Sequence, residues 1–147
     1  NLSGRIAAVI TSPPYPGVYD YVDHHRRRYA LLGLDAYFAE RHEIGRRQSV
    51  VERGWMSASW RFRDALAQAF KAWGSALCDD GRVWLVIGDG QHHDGVIRVL
   101  PLVEAAAKES GFELSAVAAQ ERPVFGTAAA DTSATRHEYI IGLRRSA

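Results

Sequence analysis

One cysteine, one methionine and two lysines stand in 147 residues, and each scarcity excludes something. A lone Cys78 forms no internal disulfide, so a reducing compartment, the cytoplasm, is the expected setting. At the end of a helical pattern it reads as a small core residue. No apolar run approaches the roughly 20 residues of a membrane span. No secretory signal pattern opens the sequence. The formal net charge is only +1, which removes any global pull toward nucleic acid. No linker and no internal repeat divides residues 1–147, so a single unit is expected.

What is present says more. The charge is local and almost all of the basic residues are arginine, sixteen in number, clustered as Arg26-Arg27-Arg28, Arg46-Arg47 and Arg144-Arg145. A guanidinium fork matches phosphate oxygens, although each cluster alone is equally an ordinary solvated face. At 47% hydrophobic and 24% charged, the composition is that of a chain with a packed core.

The most informative passage begins at an apolar run, Ile6-Ala7-Ala8-Val9-Ile10, which reads as a buried strand. It stops at Thr11-Ser12-Pro13-Pro14-Tyr15. Two prolines fix the backbone and carry no N–H, so the chain leaves the strand rigidly with carbonyls aimed outward. Ser12 places a hydroxyl at the strand's carboxyl end, where open α/β sheets hold their ligands. A fixed carbonyl, a side-chain oxygen and the face of Tyr15 together suit a planar ring that carries an amine.

Downstream, periodicity predicts a loop and short helix over 16–33, a helix from Asp35, its cap, to Gly45, and irregular chain over 46–58. Ser59 would cap a helix to Cys78 with Trp60, Leu66, Phe70, Trp73 and Leu77 on one face. Asp79-Asp80-Gly81 reads as a turn. A strand over Arg82–Ile87 ends at Gly88-Asp89-Gly90. A helix runs to Ser110, its first turn near Leu100 because of Pro101, and Gly111 ends it. Strands over 112–120 and 137–143 flank a small-residue loop, 121–135. The alternation predicts an α/β fold with parallel strands and an antiparallel pair at one edge. His24-His25 and His92-His93 do not make a metal site, since neighbouring side chains point apart and no ligand spacing completes them.

Ser12-Pro13-Pro14-Tyr15 at a strand end resembles motif IV of the amino-directed DNA methyltransferases, and its serine form is closest to the group that methylates cytosine N4. The resemblance implies the C-terminal, catalytic half of a class I methyltransferase-like, Rossmann-like sheet across residues 1–147. It implies S-adenosyl-L-methionine as cofactor, double-stranded DNA as substrate and a place in restriction-modification. Ser12, Pro13, Pro14 and Tyr15 would be catalytic. Thr11, Ser12 and Asp89 would face the cofactor. Tyr15, Tyr19, His24, His25, Arg26 and Arg27 would meet the base and its phosphates. Residues 35–58 are the candidate target-recognition insertion.

Half of the family's equipment is missing. Neither its Gly-rich cofactor turn nor its ribose-holding acid is found, and Gly88-Asp89-Gly90 lacks the Asp-Pro-Phe context. The cofactor half is expected on the same polypeptide, preceding this segment, or on another. Alone, the Ile6–Ile10 edge would lie bare, so the chain should homodimerise or recruit a partner. No Pro-Cys pair exists, which argues against methylation at cytosine carbon 5. Adenine N6, RNA guanine N2, a non-catalytic nucleic-acid-binding subunit and a plain interaction domain are the rival readings.

Overall fold

A computed structural model of the chain describes residues 3–92, 95–122 and 135–146. The apolar run forms β1 (Ile6–Thr11), followed by four short helices: α1 (Tyr21–His24), α2 (Arg26–Leu31), α3 (Ala36–His42) and α4 (Arg47–Arg53). Then come α5 (Trp55–Ala76), β2 (Leu77–Gly88), a small ribbon of β3 (Gly90–His92) and β4 (Gly95–Ile97), α6 (Val99–Glu109), β5 (Phe112–Arg122) and β6 (Arg136–Arg145).

The main sheet runs β1-β2-β6-β5. Only β1 and β2 are parallel; β6 is antiparallel to both β2 and β5. The sheet is therefore mixed, not chiefly parallel. The last two strands do pair antiparallel, but β6 inserts between β2 and β5 and so occupies the interior. Strand β2 is longer than its apolar run because Cys78–Gly81 bulge opposite the single residue Ala7. The expected Asp79-Asp80-Gly81 turn is thus a bulge inside a strand, and Cys78 lies in β2 rather than at a helix end.

One face of the sheet carries the core. Val83, Leu85 and Ile87 of β2 with Tyr139, Ile141 and Leu143 of β6 meet Phe62, Leu66 and Phe70 of α5 and Val99, Val103 and Ala107 of α6. Trp60, expected on this stripe, is exposed instead. Helix α5 starts at Trp55, so Ser59 is interior; its hydroxyl donates back to the Trp55 carbonyl at 2.7 Å. Residues 46–58, expected to be irregular, contain α4. Asp35 does cap its helix, accepting from the Phe38 amide at 3.0 Å.

The other face has no helix on it among the described residues. Ile10 sits beside Trp84, which lies over Gly142, and Ile140 lies beside Val86. Ile10 is 78% exposed and Ile140 51%. The outer edge of β1 pairs with no described strand. No helix among the described residues is long and apolar enough to cross a membrane. Residues 123–134, most of the expected small-residue loop, and His93 lie outside the described residues.

Candidate functional site

The Pro-Pro turn carries the chain off the end of β1 and folds Tyr15 back over the open sheet face. There the ring crosses Gly88, the last residue of β2. A Cβ on Gly88 would stand 2.7 Å from the Tyr15 ring, and one on Gly90 would stand 1.9 Å from the Pro16 carbonyl oxygen. The turn after β1 and the end of β2, 73 residues apart at Tyr15 and Gly88, thus meet at contact distance, and only the absence of two side chains allows it.

The Tyr15 hydroxyl donates to Glu138 Oε1 at 2.7 Å, and the other carboxylate oxygen of Glu138 is held by Arg122. Glu138 comes from β6 and Arg122 from β5, so the phenol is tied to the far side of the sheet. Burial, then the hydrogen bond to Glu138, pushes the Tyr15 phenol above its ordinary pKa of 10, with Ser12 and Arg122 opposing. The same hydrogen bond, with help from Arg122, holds the Glu138 carboxyl below its ordinary range.

Beside this tether lies a pocket of about 320 Å³ lined by Ser12, Pro13, Tyr15, Val18, Tyr19, Tyr21 and His25. Its far wall is fixed from behind. Tyr19 stacks on His24 with centroids 4.1 Å apart, and Tyr21 lies 4.7 Å from Tyr19. The Glu43 carboxylate accepts from the Tyr21 and Val22 amides, covering the open N-terminus of α1. Asp20 accepts from the Gln48 amide at 3.1 Å, and Gly17 donates to the Gly45 carbonyl at 2.9 Å. Residues 35–58 therefore brace the wall of the pocket.

The structure brings Ser12, Pro13, Tyr15, Tyr19 and His25 to one cavity. Thr11 ends β1 opposite Leu85, and Pro14 is half-buried in the turn. His24 supports Tyr19. Arg26 and Arg27 border a separate hollow with Asp23, His24 and Ala30, and Arg26 is shared between Asp23 and Glu40. Asp89 stands apart. Its side chain is fully buried; Arg98 and the Val99 and His137 amides all donate to its oxygens, at 2.8, 3.0 and 3.1 Å. It joins the end of β2 to α6 and β6, and its oxygens are consumed within the protein. Sequence reasoning missed Glu138 and Arg122. The one available signal was an acidic residue next to an apolar strand core, Tyr139-Ile140-Ile141.

The fold built on this mixed β1-β2-β6-β5 sheet is similar to that of solved structures described as a DNA modification methylase. Those structures are of one protein, TTHA0409 of Thermus thermophilus, for which the methylase role is inferred. Its ligand-free form is 18% identical with a TM-score of 0.54, covering 99% of this chain and 48% of that one. Its complex with S-adenosyl-L-methionine is likewise 18% identical at 0.54, covering 99% and 47%. A selenomethionine form is 19% identical at 0.50. The chain spans about half the length of the protein it matches. No protein-family model and no curated relative matches the sequence.

Proposed function

We propose that residues 1–147 are the base-handling half of an amino-directed DNA methyltransferase acting on cytosine N4. The observation that carries this reading is Ser12-Pro13-Pro14-Tyr15 at the carboxyl end of β1, opening on a pocket walled by three tyrosines. Such a pocket suits a flat base swung out of the duplex, since the exocyclic amine is unreachable in a stack. Stacking on an aromatic ring contributes roughly 1–3 kcal/mol per base.

The chain's own chemistry is positioning. The cytosine amine is a weak nucleophile because its lone pair is delocalised into the ring. The Ser12 hydroxyl oxygen and the Pro13 carbonyl accept its two N–H groups and draw the nitrogen toward tetrahedral geometry, which frees the lone pair. Tyr15, tied to Glu138, holds the ring plane. The serine form supports cytosine over adenine N6.

The residues present do not make a cofactor site by themselves. Asp89, the acidic residue just past the end of β2, has its oxygens engaged by Arg98 and the Val99 and His137 amides, and Gly90 is covered by Pro16. S-adenosyl-L-methionine, which supplies an electrophilic methyl group, is held in this reading mainly by polypeptide beyond residues 1–147, on the same chain or another. The bare face around Ile10, Trp84 and Ile140 and the free edge of β1 give that half a place to dock.

The test is nucleoside mass spectrometry of DNA treated with the full-length protein and cofactor. N4-methylcytosine is expected. Only 5-methylcytosine, or no modified base, overturns the reading. A rival is a DNA-binding subunit that is silent until paired, because the sequence carries no Gly-rich cofactor turn. Assays with and without a cofactor-binding partner separate the two.

A further inference from the structure

Helices α2 and α3 bury none of their residues. They project from the pocket wall as a helical corner closed by Leu32-Gly33-Leu34, with Gly33 at φ +64 and open space around it. The tip is apolar and bare: Leu31 is 86% exposed, Leu32 68% and Leu34 54%, with Tyr37 and Phe38 exposed behind them. The shaft is basic. Arg26 is shared with Asp23 and Glu40, but Arg27 and Arg28 are exposed and have no acidic partner among the described residues. Leucines held in water on a structure that contributes nothing to the core call for an occupant.

The pattern specifies one. Free guanidiniums beside a blunt apolar tip match a polyanion with an apolar interior, which describes a DNA duplex: phosphates outside, stacked bases within. Proteins that kink duplexes insert Leu, Ile, Met or Phe between base steps while basic groups hold the backbone. The placement fits. His25 both lines the base pocket and precedes α2, and the six residues of α2 carry the chain about 9 Å to Leu31. The minor groove is about 7.5 Å deep and the major about 8.5 Å, so that span matches the distance from a base's place in the stack to the duplex surface in either.

We propose that the α2–α3 corner is the wedge for base extrusion: Leu31 and Leu32 enter the stack where the target base has left, and Arg27 and Arg28 hold the flanking phosphates. This rests on the reading above that the tyrosine pocket takes an extrahelical base.

The experiment compares the full-length protein with Leu31→Ala/Leu32→Ala. Both sites are exposed, so the variant keeps its fold, which circular dichroism checks. Methyl incorporation is measured on plasmid DNA and on the same DNA heat-denatured. A wedge matters only where a base must leave a stack. The variant should lose at least about tenfold on duplex and keep its rate on single strands. Equal loss on both, or no loss on either, overturns the wedge. Loss of a higher-mass species in light scattering also overturns it, since the tip is then a protein interface. A second reading stands apart from turnover. During relaxation by a topoisomerase, the unmodified protein should shift the plasmid's topoisomer distribution, while the variant binds without shifting it. If neither form transfers methyl but this difference persists, the methylation reading fails and the wedge survives; no difference overturns the wedge. Arg27→Glu/Arg28→Glu should weaken plasmid binding and flatten its log–log salt slope by about 2, and an unchanged slope removes the arginines from the proposal.

Discussion

Two glycines two residues apart should respond very differently to the same methyl group. At Gly90 an added Cβ falls 1.9 Å from the Pro16 carbonyl oxygen and 2.9 Å from two further Pro16 atoms. Real Cβ atoms essentially never come within 3.0 Å of such an atom, and the Pro16 carbonyl belongs to a buried backbone that Pro13 and Pro14 stiffen. Either the loop or the end of β2 must move by more than an ångström. Overpacking of this kind costs about 1–3 kcal/mol and sometimes more, and with a rigid neighbour the upper end, about 3 kcal/mol, is expected for Gly90→Ala. At Gly88 the added carbon meets the Tyr15 ring at 2.7 and 2.9 Å. A ring can swing away. The loss is then its seat and its hydrogen bond to a carboxylate, about 1–2 kcal/mol for a half-buried pair. With a urea slope near 2 kcal/mol/M, the unfolding midpoint should fall by roughly 0.5–1 M for Gly88→Ala and about 1.5 M for Gly90→Ala. Ultraviolet titration gives an independent reading: in Gly88→Ala, one phenol should return toward the ordinary value of 10 as it leaves Glu138. Equal destabilisation by the two substitutions, or an unchanged phenol titration in Gly88→Ala, would show that Tyr15 is not seated on Gly88.

Three further outcomes are expected. Tyr15→Ala should abolish most methyl transfer while leaving the fold intact, and Tyr15→Phe should retain transfer with a stability loss of about 1 kcal/mol; unfolding of Tyr15→Ala would make the ring a core residue. Stability should be bounded on both sides of neutrality. Glu138 titrates low in the fold, so its contribution is full above about pH 4.5 and disappears as pH falls through its depressed pKa, whereas Tyr15 titrates high, so its contribution is full below about pH 10 and disappears as pH rises through its elevated one; urea midpoints across pH 2–12 check both limbs, and Glu138→Gln should remove the acid one. Residues 1–147 alone should self-associate in light scattering through the bare β1 edge and bind S-adenosyl-L-methionine weakly in calorimetry, and a tightly binding monomer would place a cofactor site on this chain.

The parts of this structure legible in the sequence are those set by local chemistry. An apolar run bounded by Pro-Pro marked β1 as a strand, although none of its residues is buried as that run suggested; Asp35 three residues before Phe38 marked a helix cap, and Gly111 in its left-handed conformation the end of α6. Ser12, Pro13 and Tyr15 were legible because strand-end chemistry is written in consecutive residues. What escaped is non-local. Insertion of β6 between β2 and β5 depends on pairings that no window of sequence contains. Glu138 becomes part of the site only when Tyr15, 123 residues away, lies over Gly88. Asp89 has the sequence setting of a strand-end residue with an outward role, yet its partners come from two other elements and turn it inward. Ser59 resembles a cap because serine favours caps, but its hydroxyl satisfies a carbonyl one turn back within a helix that has already begun.

The tether from Tyr15 to Glu138 also joins residues 123 apart in the chain, which bears on when it can form during folding. The β5–β6 ladder and the α5–α6 pair join segments near one another in the chain, so their loop-closure entropy is modest. Strand β1 must find β2 across some 70 residues, and Tyr15 must find a carboxylate that lies within about ten residues of the end of this segment. Contacts of such separation form late and slowly. The Pro-Pro turn, among the earliest parts of this segment to leave the ribosome, therefore waits for its C-terminal strand before the pocket acquires its shape. A nascent chain therefore carries the residues that line the pocket before the tether between Tyr15 and Glu138 can form.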